Sequence, residues 1–210
     1  MTLYQQRSYA RCISEGYGFL AKNVWKVCKV MTPYYIVFSL LLTLSNAVNT
    51  HANVSILANR PIKFEEVIIA VILTVLCVVA YITCLTKLYN FFKKECGIKG
   101  KHKIRWGKAI KATFRHLGKV IGTTLLSLFI LVVLSLVVYI PYVVSMYAYF
   151  TSVEAQVNYG DMADIPTSGI ALMIASCTIC YTIINIVSVG FYASLMFLYG
   201  SVRGVKELKS

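Results

Sequence analysis

Residues 120–153 have the sequence VIGTTLLSLFILVVLSLVVYIPYVVSMYAYFTSV, which contains no Asp, Glu, Lys or Arg. About 20 apolar helical residues span a bilayer core that is about 30 Å thick. A lysine or arginine at the centre of such a helix costs about 2.5–3.5 kcal/mol, so an uncharged run of this length is typical of a transmembrane helix. The alternative is a buried β-strand, but the length of the run and its Leu, Ala and Met content favour a helix.

Three further uncharged segments, residues 30–59, 67–86 and 165–202, are also long enough to span a membrane. The composition agrees, because 58% of the residues are hydrophobic and only 14% are charged, whereas soluble domains are about 25% charged. We therefore predict an all-α integral membrane protein in which one domain, residues 1–210, forms a four-transmembrane helical bundle. The predicted spans are residues 30–48, 67–86, 120–146 and 170–198.

The positions of the charged residues predict the orientation of these spans. The net charge is +13, from 21 Lys and Arg against 8 Asp and Glu. Only Arg60 and Lys63 lie between the first two spans, and no Lys or Arg lies between the last two. By the positive-inside rule, the N-terminus, the basic loop at residues 87–119 and the C-terminus are expected in the cytoplasm. A nucleic-acid-binding domain would not be this apolar, so we expect no nucleic-acid partner.

Two segments that precede spans combine an apolar stripe with a basic one, as amphipathic helices at a membrane surface do. In residues 14–29 and just beyond, the apolar stripe consists of Leu20, Val24, Val27 and Met31. The basic stripe beside it consists of Lys22, Lys26 and Lys29. Around the end of the basic loop, the apolar stripe consists of Ile110, Phe114, Leu117 and Ile121. The basic stripe there consists of Lys108, Lys111, Arg115 and Lys119. Because Lys29–Val30 aligns with Lys119–Val120, one hypothesis is a 2+2 parallel repeat. The alternative is that basic amphipathic sequence precedes any span that leaves the cytoplasm.

The same two segments carry a resemblance to known proteins. Residues 16–25 (GYGFLAKNVW) and 106–114 (WGKAIKATF) resemble an aromatic and basic surface helix found in several families of uncharacterised bacterial multi-span proteins. These families include membrane domains similar to the one attached to some glycerophosphodiester phosphodiesterases. The resemblance implies a bacterial inner-membrane protein of the helical-bundle type. It supplies no catalytic residue, because the phosphodiesterase domain itself is absent from this sequence.

The sequence contains little that indicates catalysis. Proton-coupled carriers usually hold an ionisable residue at membrane depth, and the predicted spans have none. Cys177 and Cys180 have the spacing of a redox or metal motif, but a reactive thiolate needs an electropositive, partly exposed setting. We therefore interpret them as small packing residues and expect no catalytic residue, cofactor or metal site. The sequence also lacks the His-Glu-x-x-His and Gly-x-Ser-x-Gly motifs.

Three groups of residues are candidates for binding or packing. Cations of the basic loop are expected to contact anionic lipid headgroups or a partner, at about 1 kcal/mol each. These are Lys101, Lys103, Arg105, Lys108, Lys111, Arg115 and Lys119. Small residues four positions apart allow close helix packing, within this chain or between chains, at Gly118 and Gly122 and at Gly190 and Ser194. Pro141, which removes a helical hydrogen bond, and Asn185 are candidates for lining a transport pathway.

Together these features favour a non-catalytic membrane protein. We expect a scaffold, assembly factor or accessory subunit that acts through helix packing and a basic cytoplasmic face. Its expected partners are anionic lipids of the inner leaflet and either further copies of the chain or other membrane subunits. The alternative is a small oligomeric transporter, or a permease subunit, for a neutral or apolar substrate. A lipid-modifying enzyme whose site is spread over several helices ranks last, because no ionisable residue lies at membrane depth.

Overall fold

A computed structural model describes residues 7–57, 64–96, 117–158 and 167–207. These residues form four helices: α1 (Tyr9–Leu57), α2 (Phe64–Glu95), α3 (Leu117–Asn158) and α4 (Thr167–Glu207). No strand occurs in the described ranges. Each helix contains a segment that is long and apolar enough to cross a membrane. The prediction of an all-helical protein with four candidate transmembrane helices is therefore confirmed.

The helices extend beyond the predicted spans. Residues 14–29, predicted as a surface helix, and residues 30–48, predicted as the first span, belong to the single helix α1. The predicted basic loop, residues 87–119, begins within α2 and ends within the first turn of α3. Residues 97–116 of that loop lie outside the described residues. Helices α1 and α3 continue through Pro33 and Pro141, respectively.

By its internal contacts the chain divides into two units, and each helix contributes to both. In the described residues, unit 1 comprises 7–30, 86–96, 117–135 and 185–207. Unit 2 comprises 31–57, 64–85, 136–158 and 167–184.

Aromatic side chains form the centre of unit 1. Phe19 of α1 lies with its ring centroid 5.3 Å from Phe92 and 6.2 Å from Phe91, both on α2. On its other side, Phe19 meets Phe197 of α4 at 6.4 Å. All four rings are buried. Such aromatic pairs contribute about 0.5–1.5 kcal/mol beyond their burial, so this cluster joins three helices of unit 1.

Helices α1 and α4 approach closely in unit 1 because small residues lie at their contact. A Cβ atom added to Gly16 would lie 2.6 Å from the backbone nitrogen of Ser194 and 2.7 Å from its Cα. A Cβ atom added to Gly190 would lie 2.6 Å from the ring of Tyr17. The absence of side chains at these two glycines therefore sets the distance between the helices.

Unit 2 is held by polar contacts between small side chains and tyrosines. The hydroxyl of Thr178 on α4 lies 3.3 Å from that of Thr43 on α1. The amide of Asn46 donates to the Tyr181 hydroxyl at 2.9 Å, and the Tyr181 ring packs against Tyr139 of α3 with centroids 5.8 Å apart. Hydrogen bonds of this kind between membrane helices contribute about 0.6 kcal/mol each.

Candidate functional site

Arg7 is an ionisable residue of unit 1 whose side chain is only 1% exposed. Its Nε donates to Oε2 of Glu15 at 2.6 Å, and its guanidinium carbon lies 5.1 Å from the centroid of the Phe197 ring. The Arg7 backbone nitrogen donates to the hydroxyl of Ser201 at 2.9 Å. An arginine can be buried where a carboxylate and an aromatic face replace its hydration. This arrangement attaches the start of α1 to α4.

Glu15 is shared between two arginines. Its Oε2 accepts from Arg7, and its Oε1 accepts from Nε of Arg11 at 2.8 Å. Both carboxylate oxygens are therefore engaged, and the cluster keeps one net positive charge on the more exposed Arg11. These contacts stabilise the packing of α1 on α4, which is a structural function.

A second group of charges lies on the outward face of α1. Lys22, Trp25 and Lys29 are exposed, with 83% of the Trp25 surface accessible. Lys26 pairs with Glu95 of α2 at 3.1 Å. From the sequence, the lysines were predicted to form a basic stripe, and Trp25 was quoted only as the last residue of the aromatic and basic segment 16–25. The signal was present, since a tryptophan flanked by lysines one turn away on each side is typical of a membrane–water interface.

The predicted lipid-contacting cations are mostly outside the described residues. Of that group the structure describes only Lys119, which is exposed in the first turn of α3. The remaining members lie in the segment that the structure does not describe, namely Lys101, Lys103, Arg105, Lys108, Lys111 and Arg115.

The two predicted pairs of small residues have different surroundings. Gly190 contacts Tyr17, and Ser194 lies against Gly16, so this pair packs α4 on α1. At Gly118 and Gly122, an added Cβ atom would meet nothing within 4 Å in the described part of the chain. The first pair therefore packs two helices of the chain together, while no other part of the described chain covers the second.

The open glycines begin a longer exposed feature. Along α3 they are followed at helical spacing by large apolar residues that point outward, and we call the whole set the α3 outer stripe: Gly118, Gly122, Leu125, Phe129 and Val132. The intervals alternate between four and three residues, as in the seam of packed helices. Only 11% of the apolar segment of α3 is buried, compared with 28% for α1.

On the opposite side of α3, two fully buried hydroxyls have no hydrogen-bond partner among the described residues, namely the Oγ1 of Thr123 and the Oγ of Ser127. The Tyr17 hydroxyl donates to the backbone carbonyl of Ser127 at 3.0 Å. Helix α3 therefore buries the face that carries these hydroxyls and exposes Leu and Phe residues. In a helix on the surface of a soluble protein, the apolar face is buried and the polar face is exposed.

The two candidate pathway residues belong to different units. Pro141 is an exposed residue of α3 in unit 2. Asn185 is half-buried in unit 1, where its backbone carbonyl accepts a hydrogen bond from Ser188 at 2.7 Å.

Cys177 and Cys180 are buried in unit 2 as free thiols. The Cys180 sulfur donates to the carbonyl of Val138 at 3.2 Å. Within the described residues, no group of three or more His, Cys, Asp or Glu side chains is placed to hold a metal ion.

No protein-family model matches this chain. No curated protein and no solved structure matches it either. The resemblance of residues 16–25 and 106–114 to bacterial multi-span families stays a prediction.

Proposed function

We propose that this chain is a non-catalytic component of the bacterial inner membrane, a scaffold, assembly factor or accessory subunit that binds another membrane protein by helix packing. In this proposal both termini and the basic loop, residues 87–119, lie on the cytoplasmic side, where the basic face contacts anionic lipid. The basic segments before the spans of α1 and α3 are equivalent elements of a 2+2 parallel repeat.

The α3 outer stripe is the observation that carries this proposal. Two open glycines let a neighbouring backbone approach closely, and the Leu and Phe residues that follow supply side-chain contacts to it. In a membrane, lipid chains are as apolar as leucine, so helices associate through such close packing rather than through burial of apolar surface. The stripe is thus suited to a transmembrane helix from a second protein.

The distribution of charge supports the proposed orientation. In the described residues, every Lys and Arg belongs to unit 1, which also holds three of the six glutamates, whereas unit 2 holds Glu65, Glu66 and Glu154. Unit 1 therefore has the charge that the positive-inside rule assigns to the cytoplasmic side.

Photo-cross-linking in native membranes tests the proposal. A benzophenone-bearing amino acid replaces Leu125 in the α3 outer stripe, and in a matched control it replaces Val79, an exposed residue of α2. We expect a cross-linked adduct with a second protein from position 125 and adducts with lipid alone from position 79. If both positions gave lipid adducts alone, the proposal would be wrong.

The mass of the adduct shows whether the cross-linked partner is a different protein or a second copy of this chain. An adduct with a different membrane protein supports an accessory subunit. An adduct between two copies of this chain fits a self-associating scaffold and also the alternative, a small oligomeric transporter, which requires such association because four helices rarely enclose a pathway alone.

A further inference from the structure

We infer that Lys22, Trp25 and Lys29 form a binding site for the headgroup of an anionic phospholipid. The three residues are spaced at i, i+3 and i+7 on α1, so they lie on one face of the helix. Val27, which is on the opposite face, is fully buried. At 1.5 Å per residue, the two lysines begin about 10 Å apart along the axis with the indole between them.

The positive charge of this site is uncompensated. Lys26, the neighbouring lysine, pairs with Glu95 at 3.1 Å. Neither Lys22 nor Lys29 forms an ion pair with any acidic residue in the described parts of the chain. Two ammonium groups therefore flank the indole, and an anionic group beside Trp25 would be attracted by both of them.

The exposed indole of Trp25 favours a lipid over a soluble anion as the ligand of this site. Tryptophan combines a large apolar surface with one N–H donor, and it is favoured at the headgroup level of a bilayer. Val24 and Val30, next to the site, are also exposed. From Val30 onward, α1 continues through residues 30–57 without a charged side chain. A phosphate held by the lysines would thus have its acyl chains beside the apolar part of α1.

This inference rests on the membrane insertion in the proposed function and is independent of the proposed protein partner. Its test uses the full chain in symmetric vesicles, so the lipid contact is measured whatever the orientation. The chain has two tryptophans, and Trp106→Phe leaves Trp25 as the single tryptophan, whose fluorescence is excited selectively at wavelengths that tyrosine does not absorb. The quenchers are brominated phosphatidylcholine and brominated phosphatidylglycerol, each with bromine either near the headgroup or near the chain end. Bromine quenches the fluorescence of an indole that it contacts.

We expect Trp25 to be quenched more by bromine near the headgroup than by bromine near the chain end. We also expect phosphatidylglycerol to be preferred over phosphatidylcholine by about fivefold for each lysine. The double variant Lys22→Gln with Lys29→Gln should lose this preference while phosphatidylcholine still quenches. The control, Lys93→Gln with Lys94→Gln, removes the same charge from α2 and should keep it.

Three results would overturn the inference. The first is an indole that neither brominated lipid quenches at either depth. The second is a phosphatidylglycerol preference that the two glutamines at positions 22 and 29 leave unchanged. The third is displacement of the lipid by inorganic phosphate beyond the effect of sodium chloride at equal ionic strength, which would assign the site to a free anion. Each result leaves the cross-linking test at position 125 unaffected.

Discussion

The contact between α1 and α4 in unit 1 and the α3 outer stripe use the same residue type in opposite ways. Gly16 and Gly190 face a neighbouring helix so closely that a methyl group would collide with it. At Gly118 and Gly122 a methyl group would meet nothing within the described part of the chain. The glycines at the contact between α1 and α4 thus serve the fold. We propose that the glycines of the α3 outer stripe serve association with a second protein.

Gly16→Ala should show the largest effect on folding. The new methyl group would lie 2.6–2.7 Å from backbone atoms of Ser194, which cannot rotate away as a side chain can. We expect a loss of about 3 kcal/mol in the free energy of unfolding, measured by denaturation in detergent micelles. Gly18→Ala, two residues along the same helix, meets open space and should stabilise α1 by about 0.5–1 kcal/mol. Equal losses at the two positions would contradict the close α1–α4 contact.

Arg7→Ala should have the next largest effect. The change removes the buried partner of Glu15 and the cation above Phe197, while Glu15 keeps its ion pair with Arg11. Breaking a buried ion pair outright costs about 3–5 kcal/mol, so with one partner retained we expect a loss of about 2 kcal/mol. Arg11→Ala, at an exposed site, should cost less than about 1 kcal/mol in the same unfolding assay. If the two variants lost the same stability, burial would not distinguish Arg7.

Gly118→Leu combined with Gly122→Leu should have the smallest effect on folding. Both side chains would extend away from the described chain, so we expect no loss in the free energy of unfolding, and the removal of two helix glycines should raise it by about 1 kcal/mol. The protein adduct from the cross-linker at position 125 should nevertheless decrease strongly, because leucines keep a partner backbone at a distance. A large loss of stability with an unchanged adduct would mean that these glycines pack within the chain, like Gly16 and Gly190.

The sequence predicted the positions of the four spans more accurately than it predicted which face of each helix is buried. The apolar stripe proposed before the first span included Val24 and Val27, but Val24 is 45% exposed while Val27 is fully buried. Phe19, which was outside that stripe, is at the centre of unit 1. In a water-soluble helix the apolar face is the packed face, but in a membrane both faces are apolar, and periodicity does not separate them.

The candidate functional residues show the same limit. Gly118 and Gly122 were selected on the sequence by the same spacing as Gly190 and Ser194, and that spacing carries no information on what lies opposite. Arg7 was counted only as a cytoplasmic cation, although it contacts Ser201, which is 194 residues further along the chain. Trp25 could have been selected from the sequence alone, because its signal is local: lysines one helical turn away on each side.

The sequence by itself determined that four apolar helices form and which uncharged stretch each contains, although not where the helices end. This follows from the large cost of placing an unpaired charge in an apolar medium, which the residue type sets before any tertiary contact forms. Tertiary structure decided which side of each helix packs, which glycines are closed or open, and which arginine is buried. Those outcomes depend on distances between atoms far apart in the chain, and helices that are apolar on every side leave them unspecified until they pack.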